Sequence, residues 1–350
     1  MGSMVSSAFA AINPWRERNS VPVQDSSSTS RRRTEPPDRQ DDRIPKGLSV
    51  EEQDVYVFLL RVLNARKTDG TKPPHLAVIS DLAKDYDDLG AMVVLKEAHR
   101  LGLGLEEGQM LTLVCLSSLS DAWNFASKHP KLFKDSVEKI VCQGGYFVKE
   151  GELHPDPLAA NNRFDMKASE QFHSFIYKER IPSLVFTKYA AYVSFLSTQL
   201  FADLAHTKHP VGEYLRMVQV KQDVEFYKNA CSPNKEDRMQ PDMDQQRYLR
   251  DRTNYFDVHH GPGEKLPDGD EVIQFCKVIM YDALAALGAC GEDVLKDLEV
   301  LDHPATVFDE PQHQIVGHSR EQVDVNGRRM ALVIQSLLKG SLLAYQQGLR

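Results

Sequence analysis

The sequence has 350 residues, of which 41% are hydrophobic and 26% charged, as is ordinary for a folded globular protein. Its formal charge of −8 excludes a general nucleic-acid binder, because such proteins need a basic surface. It contains no run of about 18 apolar residues, so we expect no transmembrane helix and no membrane partner. The five cysteines are widely spaced and form no Cys-x-x-Cys pair, which predicts reduced core thiols in an intracellular, cytoplasmic protein.

The chain divides at about residue 48. Residues 1–48 include a serine run, a basic run at 31–33 and two adjacent prolines, with few apolar residues to anchor a fold. From residue 49 onwards the pattern changes, because Ser49 and Glu52 form a capping box ahead of apolar residues at helical spacing. We therefore predict a disordered tail over 1–48 and a single domain over 49–350.

Short apolar runs alternate with helical patterns along this domain. Runs at 76–79, 111–116, 140–142 and 181–186 predict four strands, and a late strand is predicted at 314–316 or at 323–325. Residues 193–257 read as polar helices, with 221–228 and 239–251 facing solvent. The alternation predicts an α/β fold with a mostly parallel, doubly wound sheet flanked by helices.

Four carboxylates follow the first predicted strand. Asp81, Asp85, Asp87 and Asp88 stand between the apolar run 76–79 and an apolar helical pattern that begins at residue 89. In open α/β sheets, ligands bind at the carboxyl ends of strands. Acids this close repel one another unless a cation or a proton offsets them, and oxygen-rich clusters suit Ca²⁺ or Mg²⁺. The alternative is an acidic turn in which one aspartate caps the helix, which leaves the other three unexplained. The pattern favours a metal or catalytic site.

This loop and three later stretches resemble the nucleoside hydrolases. The pattern Asp81-x-x-x-Asp85-x-Asp87-Asp88 is similar to the signature loop of that family, which includes the inosine-uridine preferring enzymes. Gln143-Gly144-Gly145, then Asn161-Asn162 with Asp165, then Tyr281-Asp282 follow in the family's order, and together these stretches span residues 75–290. The resemblance implies the nucleoside-hydrolase fold.

The resemblance also implies an activity and a set of site residues. The reaction would be calcium-dependent hydrolysis of the N-ribosidic bond of a nucleoside or related ribosyl compound, by metal-activated water and a carboxylate base, with Mg²⁺ the less favoured ion. A small-molecule substrate and a homodimer or tetramer are expected. The implied metal ligands are Asp87, Asp88 and Asp282. Asp81 or Asp85 is the implied catalytic base. The implied substrate-binding residues are Asn161, Asn162, Asp165 and Tyr281.

The sequence departs from the family at two chemically important positions. The usual loop reads Asp-x-Asp-Pro-Gly-x-Asp-Asp, and when the final pair is aligned to Asp87-Asp88, the second acid falls on Ala83 and Asp85 replaces the glycine. The second acid is the usual water-activating base, and the histidine that precedes the late Asp is here Tyr281. The chain therefore resembles an atypical member.

Other interpretations remain open from the sequence alone. Asp282 can be a helix cap, Asn161, Asn162 and Asp165 can be turn residues, and Tyr281 can be a core residue. Ala83 favours a catalytically altered homologue that binds a nucleoside or a sugar in a regulatory or scaffold role. A third alternative keeps the fold and changes the reaction, for example to ribosyl transfer.

Overall fold

The computed structural model describes residues 41–70, 75–80, 86–102, 110–238, 242–258, 265–301, 305–306 and 312–349. Residues 1–40, most of the predicted tail, lie outside the described residues, and the division of the chain at residue 48 stays a prediction. Within these ranges, no helix combines the length and the apolar character that a bilayer span requires.

The helices of the described residues are numbered in chain order. They are α1 Val50–Asp69, α2 Tyr86–Leu101, α3 Ser120–Lys128, α4 Pro130–Ser136, α5 Ala160–Phe164, α6 Met166–Lys178, α7 Lys188–Val193, α8 Gln199–His206, α9 Pro210–Ala230, α10 Gln245–Arg252, α11 Tyr255–Val258, α12 Tyr281–Gly288, α13 Glu292–Asp297 and α14 Gly327–Gln346. Two 3₁₀ helices cover Lys235–Asp237 and Gly269–Phe275.

The strands form one large sheet and two small ones. They are β1 His75–Ile79, β2 Leu111–Cys115, β3 Val137–Gly144, β4 Tyr146–Lys149, β5 Glu152–Pro155, β6 Ser183–Thr187, β7 Leu196–Ser197, β8 Lys277–Val278, β9 Ala305–Thr306 and β10 His313–Val316. The large sheet has the order β1-β2-β3-β6-β10-β9 and is parallel except that β9 runs antiparallel to β10. Strands β4 and β5 form an antiparallel hairpin, and β7 pairs with β8. The predicted late strand at 314–316 is β10.

Helices cover both faces of the large sheet. Because side chains alternate along a strand, Leu76 and Val78 of β1 pack into one core cluster, while Ala77 and Ile79 pack into another. The first cluster includes residues of α1, α2, α12 and α14, and the second includes residues of α3, α4 and α6. The predicted α/β fold with a mostly parallel, helix-flanked sheet is confirmed.

The first helix begins where the sequence predicts. Ser49 and Glu52 form the expected capping box, with the Ser49 backbone N–H donating to Glu52 Oε2 at 2.7 Å. Glu52 also accepts a hydrogen bond from Lys339 of α14, and Lys46 exchanges two backbone hydrogen bonds with the side chain of Gln347. The first and last helices are thereby tied together.

The polar segment between β6 and β10 is more buried than its sequence predicts. Val224 and Tyr227 of α9 and Tyr248 and Leu249 of α10 are buried in a third core cluster, together with Met243. The predicted solvent-facing segments 221–228 and 239–251 are therefore wrong in part. The sequence of these helices shows no continuous apolar stripe, which is the usual sign of a buried helix face. They bury scattered apolar and aromatic residues against each other instead.

A histidine lies deep in the second core. His173 of α6 is 2% exposed, and its ring packs edge-on against Tyr146 with 5.6 Å between centroids. Burial disfavours the charged imidazolium and lowers the pKa of His173 to about 4 from the ordinary value of 6.5. The folded protein therefore holds this residue neutral where the unfolded chain binds a proton.

We expect acid to destabilise the fold through His173. Between pH 6.5 and pH 4 the unfolded chain gains a proton that the folded chain excludes, so the free energy of unfolding should fall by about 3 kcal/mol from this residue. Denaturant unfolding at a series of pH values measures the loss. His173→Phe should flatten the dependence, whereas the matched control His206→Gln, at an exposed histidine, should not. Parallel curves for the parent and His173→Phe would refute this account.

Candidate functional site

Three aspartates meet at the beginnings of two helices. Asp87 and Asp88 lie in the first turn of α2, and Asp282 lies in the first turn of α12. One carboxylate oxygen from each lies within 4.8 Å of the other two. Asp88 is 1% exposed and Asp282 is 5% exposed, so two of the three negative charges are almost completely buried. We call these three residues the aspartate triad.

The packing of α2 against α12 brings the triad together. Helices α2 and α12 are in direct contact, and a Cβ atom on Gly90 of α2 would lie only 1.9 Å from Cε of Met280, the residue just before α12, so a larger residue there would require the Met280 side chain to move. Both helices also direct their amino-terminal ends at the triad. The partial positive charge of a helix amino terminus favours carboxylates and offsets part of their mutual repulsion.

Ser80 ties the triad to the sheet. Its hydroxyl, directly after β1, donates a short hydrogen bond to Oδ1 of Asp88. Ile79 is in register with Cys115 of β2, and Cys115 is in register with Cys142 of β3, so the residues that follow these three share one edge of the sheet. The triad therefore lies at the carboxyl edge, as the sequence predicts.

Asn161 occupies the same edge. It is 8% exposed, and its amide Nδ2 donates to the Leu116 carbonyl just past β2 at 3.2 Å and to Gln143 Oε1 on β3 at 2.7 Å. These bonds use the donor group of the amide. Its carbonyl Oδ1 accepts no hydrogen bond within the described part of the chain, so it is available to a ligand hydroxyl.

Asn162 and Asp165 are engaged in local structure. Asn162 Nδ2 donates to the Gly145 carbonyl at 2.8 Å and to the Asp156 carbonyl at 3.0 Å, which closes the β4–β5 hairpin at its base. Asp165 caps α6 by accepting from the Ala168 backbone N–H and also accepts from Ser120. Those two bonds lower the pKa of the Asp165 carboxyl. Both residues therefore have the turn and cap contacts that the sequence left open as alternatives.

Tyr281 lies beside a group of aromatic and charged side chains. Its ring contacts Tyr192 at 6.2 Å, and Cζ of Arg252, the last residue of α10, lies 6.0 Å from the Tyr281 ring centroid. The same guanidinium lies 5.3 Å from Phe226 and 5.8 Å from Tyr192. Arg252 is thus enclosed by three rings at cation–π distance.

Tyr86 and Asp223 interact electrostatically with this aromatic and charged group. Burial, followed by the negative charges of Asp223 and Asp87, raises the pKa of the Tyr86 phenol. Burial also raises the pKa of Asp223 of α9 to about 6, against the opposing effects of a Gln219 hydrogen bond and the Arg252 charge. Tyr86 and Tyr281 immediately precede Asp87 and Asp282, so the aromatic group borders the triad on both helices.

Sequence reasoning missed Arg252 and Asp223. Arg252 belongs to an arginine-rich helix with Arg247 and Arg250, and nothing in the local pattern distinguishes it from those two exposed residues. Its contacts are with residues 26 to 60 positions away in the chain, which only the tertiary fold brings near. The candidate base residues Asp81 and Asp85 lie outside the described residues.

The triad has the donor set of a hard-cation site. Three carboxylates concentrated in this space, with two of them almost fully buried, match the oxygen ligands that Ca²⁺ and Mg²⁺ prefer. Among the acids, histidines and cysteines of the described ranges, the triad is the group whose ligand atoms lie close enough together to hold a metal ion. The residues present therefore fit the predicted ion.

Comparisons with known proteins show the fold. The type III effector protein XopQ, solved as a complex with adenosine diphosphate ribose, superposes with a TM-score of 0.68 at 18% identity, over 84% of this chain and 100% of that chain. The effector protein XOO4466 gives 0.66 at 18% identity, over 84% and 99%. This chain shares the fold of these two effector proteins.

Other comparisons are weaker or empty. A purine-preferring ribonucleoside hydrolase from Gardnerella vaginalis matches with a TM-score of 0.38 at 14% identity, over 72% of this chain and 66% of that chain. No family model matches the sequence, and no curated protein matches it. The site is therefore interpreted from its own geometry.

Replacing one triad carboxylate should remove tight calcium binding. In Asp88→Asn the amide oxygen can still accept from Ser80, so the fold should persist, while the loss of a charged ligand should weaken calcium binding on the order of 100-fold. Isothermal calorimetry measures the affinity, and calcium should raise the melting temperature of the parent but not of the variant. Asp165→Asn is the matched control, because that carboxylate serves as a helix cap. Parent-like calcium affinity in Asp88→Asn would rule out the triad as the metal site.

We expect the Asn162 side chain to stabilise the folded protein. Asn162→Ala leaves the Gly145 and Asp156 carbonyls without their side-chain donor, which should lower the free energy of unfolding by about 1–3 kcal/mol. Denaturant titration measures this loss, with Asn124→Ala at an exposed position as the control. An Asn162→Ala protein as stable as the control would show that the hairpin does not depend on this amide.

Proposed function

We propose that the protein is a calcium-dependent hydrolase that cleaves the N-ribosidic bond of a nucleoside or a related ribosyl compound. The observation that carries this proposal is the convergence of Asp87, Asp88 and Asp282 at two helix amino termini, on the sheet edge that also holds Asn161. A cation site and a neutral hydrogen-bond acceptor on one edge are what a ribose needs for binding.

The triad would hold the calcium ion. A bound calcium ion would supply a positive charge that orients ribose hydroxyls and lowers the pKa of a water molecule beside them. The side chains that surround it are already fixed, because Asp88 is held by Ser80 and both helices are packed together. Such preorganisation places the carboxylates before the ligand arrives.

Asn161 would bind the sugar. Its Nδ2 is anchored to the ends of β2 and β3, so the carbonyl Oδ1 keeps a fixed position and can accept a hydrogen bond from a ribose hydroxyl. A neutral amide suits this task, since another carboxylate would add to the negative charge already present. Asn162 and Asp165, which the resemblance also implies, would support this segment through the hairpin and the helix cap.

A carboxylate base would take the proton from the attacking water. Asp85 and Asp81 are the candidates, because the family resemblance puts Ala83 at the usual position of the base. Cleavage of the N-ribosidic bond passes through an oxocarbenium-like state in which the leaving group departs with the bonding electrons. Tyr281 would lie on the leaving-group side, next to the ligand carboxylate Asp282.

The ligand class has independent support. XopQ, whose fold this chain shares, is seen with adenosine diphosphate ribose, which is a ribosyl compound. That ligand belongs with nucleosides among the substrates to be tried. A cytoplasmic location, which the cysteine pattern predicts, and a homodimer or tetramer, which the family resemblance implies, complete the proposal.

A binding protein without catalysis is the second candidate. Ala83 in place of the usual base favours it, because loss of the base removes the proton acceptor and leaves the metal and sugar contacts intact. The two candidates differ in a single measurable property. Both predict calcium-dependent binding of a ribosyl ligand, and only the hydrolase releases the base.

The test is base release from a panel of purine and pyrimidine nucleosides and ADP-ribose. The full-length protein is incubated with added calcium or with chelator, and the products are separated by chromatography. Chelator-sensitive release of a free base from a nucleoside, or of adenine from ADP-ribose, would support the hydrolase. Calcium-dependent binding of these ligands without any product would favour the binding protein. Neither binding nor release would overturn both.

Asp85→Asn should separate the base from the metal ligands. If Asp85 takes the proton, calcium affinity stays at the parent value while the turnover number falls about 10²- to 10⁴-fold. Asp81→Asn is the paired variant, and calorimetry with steady-state kinetics gives both quantities. An Asp85→Asn protein with parent-like turnover would assign the base to Asp81 or to neither.

A further inference from the structure

The Arg252 guanidinium lies among three aromatic rings and has no polar partner within the described part of the chain. Its Nε is buried and has no hydrogen-bond partner, and the side chain forms no hydrogen bond or ion pair within the described part of the chain. Arginine carries five N–H donors and stays charged at any pH that proteins experience. The buried Nε–H is therefore a charged donor without an acceptor, which is unfavourable, so a native fold that keeps one requires an explanation.

The nearest acid does not provide that explanation. Asp223 accepts a hydrogen bond from Gln219 Nε2 at 2.6 Å and makes no ion pair with Arg252 among the described contacts. The other groups that surround the guanidinium are the rings of Tyr192, Phe226 and Tyr281. Aromatic faces offset part of the charge, but they leave the N–H groups in the guanidinium plane without acceptors.

The position of Arg252 connects it to the candidate site. Tyr281, which the guanidinium faces, is covalently next to Asp282 of the triad. Tyr192, on the outer side of the same group, is 36% exposed, so the aromatic group reaches the protein surface. A ligand whose ribose occupies the triad can therefore extend past Tyr281 towards the N–H groups of Arg252.

We propose that Arg252 binds an anionic group of the ribosyl ligand, a phosphate or a carboxylate. The planar guanidinium presents paired donors that match either anion, and the charge of the ligand replaces the missing counter-ion. This inference rests on the proposed function, because it assumes that the triad holds the ribose. The protein should therefore prefer negatively charged ribosyl compounds over neutral nucleosides.

Two ligand pairs distinguish the sources of the anion. Adenosine and adenosine 5′-monophosphate differ by a phosphate on the ribose, whereas nicotinamide riboside and nicotinic acid riboside differ by a carboxylate on the leaving base. Calorimetric titration of the full-length protein with calcium present measures all four affinities. We expect the anionic member of one pair to bind at least about tenfold more tightly than its neutral partner.

Variants on one helix test the role of Arg252. Arg252→Gln should remove the preference for the anionic ligand while leaving the affinity for the neutral partner unchanged. Arg252→Lys keeps the charge and should retain part of the preference, and it also serves if the glutamine variant fails to fold. Arg250→Gln is the matched control, since Arg250 is an exposed arginine two positions away on α10.

Equal affinity within both pairs, or no binding of any of the four compounds, would overturn the anion proposal. An equal loss for neutral and anionic ligands in Arg252→Gln would also overturn it, because it would indicate a structural role. The proposed hydrolase is judged separately by base release. Hydrolysis of neutral nucleosides without a preference for charged ligands would overturn only the inference about Arg252. Charge-selective binding without hydrolysis would overturn only the proposed catalytic activity.

Discussion

Repulsion among three carboxylates within 4.8 Å is the constraint on which the site depends. Carboxylates held this close together repel one another, which favours protonation or separation unless the surroundings offset the charge. Here they are held in place by two helix amino termini and by the Ser80 hydroxyl, which supply partial positive charge and a hydrogen-bond donor. The close approach of α2 and α12, which the small residue Gly90 permits, keeps those termini side by side. The fold therefore concentrates carboxylate oxygens, the ligand type that hard divalent cations prefer, at one place.

The carboxyl edge of the sheet separates structural from ligand-directed polar groups. The amide donors of Asn161 are bonded to strand ends and those of Asn162 to the β4–β5 hairpin, so the two neighbours stiffen the edge. The Asn161 carbonyl accepts no hydrogen bond from the described residues, and a ligand contact there is part of the proposal. On the other side, the Tyr281 and Arg252 group adds rings and a positive charge beside the triad. The candidate site thus has a cluster of carboxylates at one end and a guanidinium at the other.

Short-range pattern was enough to predict the parts of the site that depend on one strand end or one helix start. Asp87 and Asp88 follow a strand within ten residues, so spacing marked them as candidates, whereas Asp282, which starts a helix, became a candidate only through the family resemblance. Arg252 could not be found this way, because its environment is created by α7, α9 and α12. Spacing also could not tell a ligand-facing amide from a structural one. Asn161 and Asn162 are adjacent, and only their hydrogen-bond partners separate them.

The contacts between α1 and α14 have a consequence for how the chain can be connected. Lys46 and Gln347 are joined by two hydrogen bonds, so the first and last parts of the fold meet at one point on the surface. A short linker between them would close the chain into a ring without crossing the sheet. New ends could then be opened at the exposed Glu150–Gly151 turn of the β4–β5 hairpin. The architecture would therefore tolerate circular permutation, and the order of its elements along the chain is separable from the site they build.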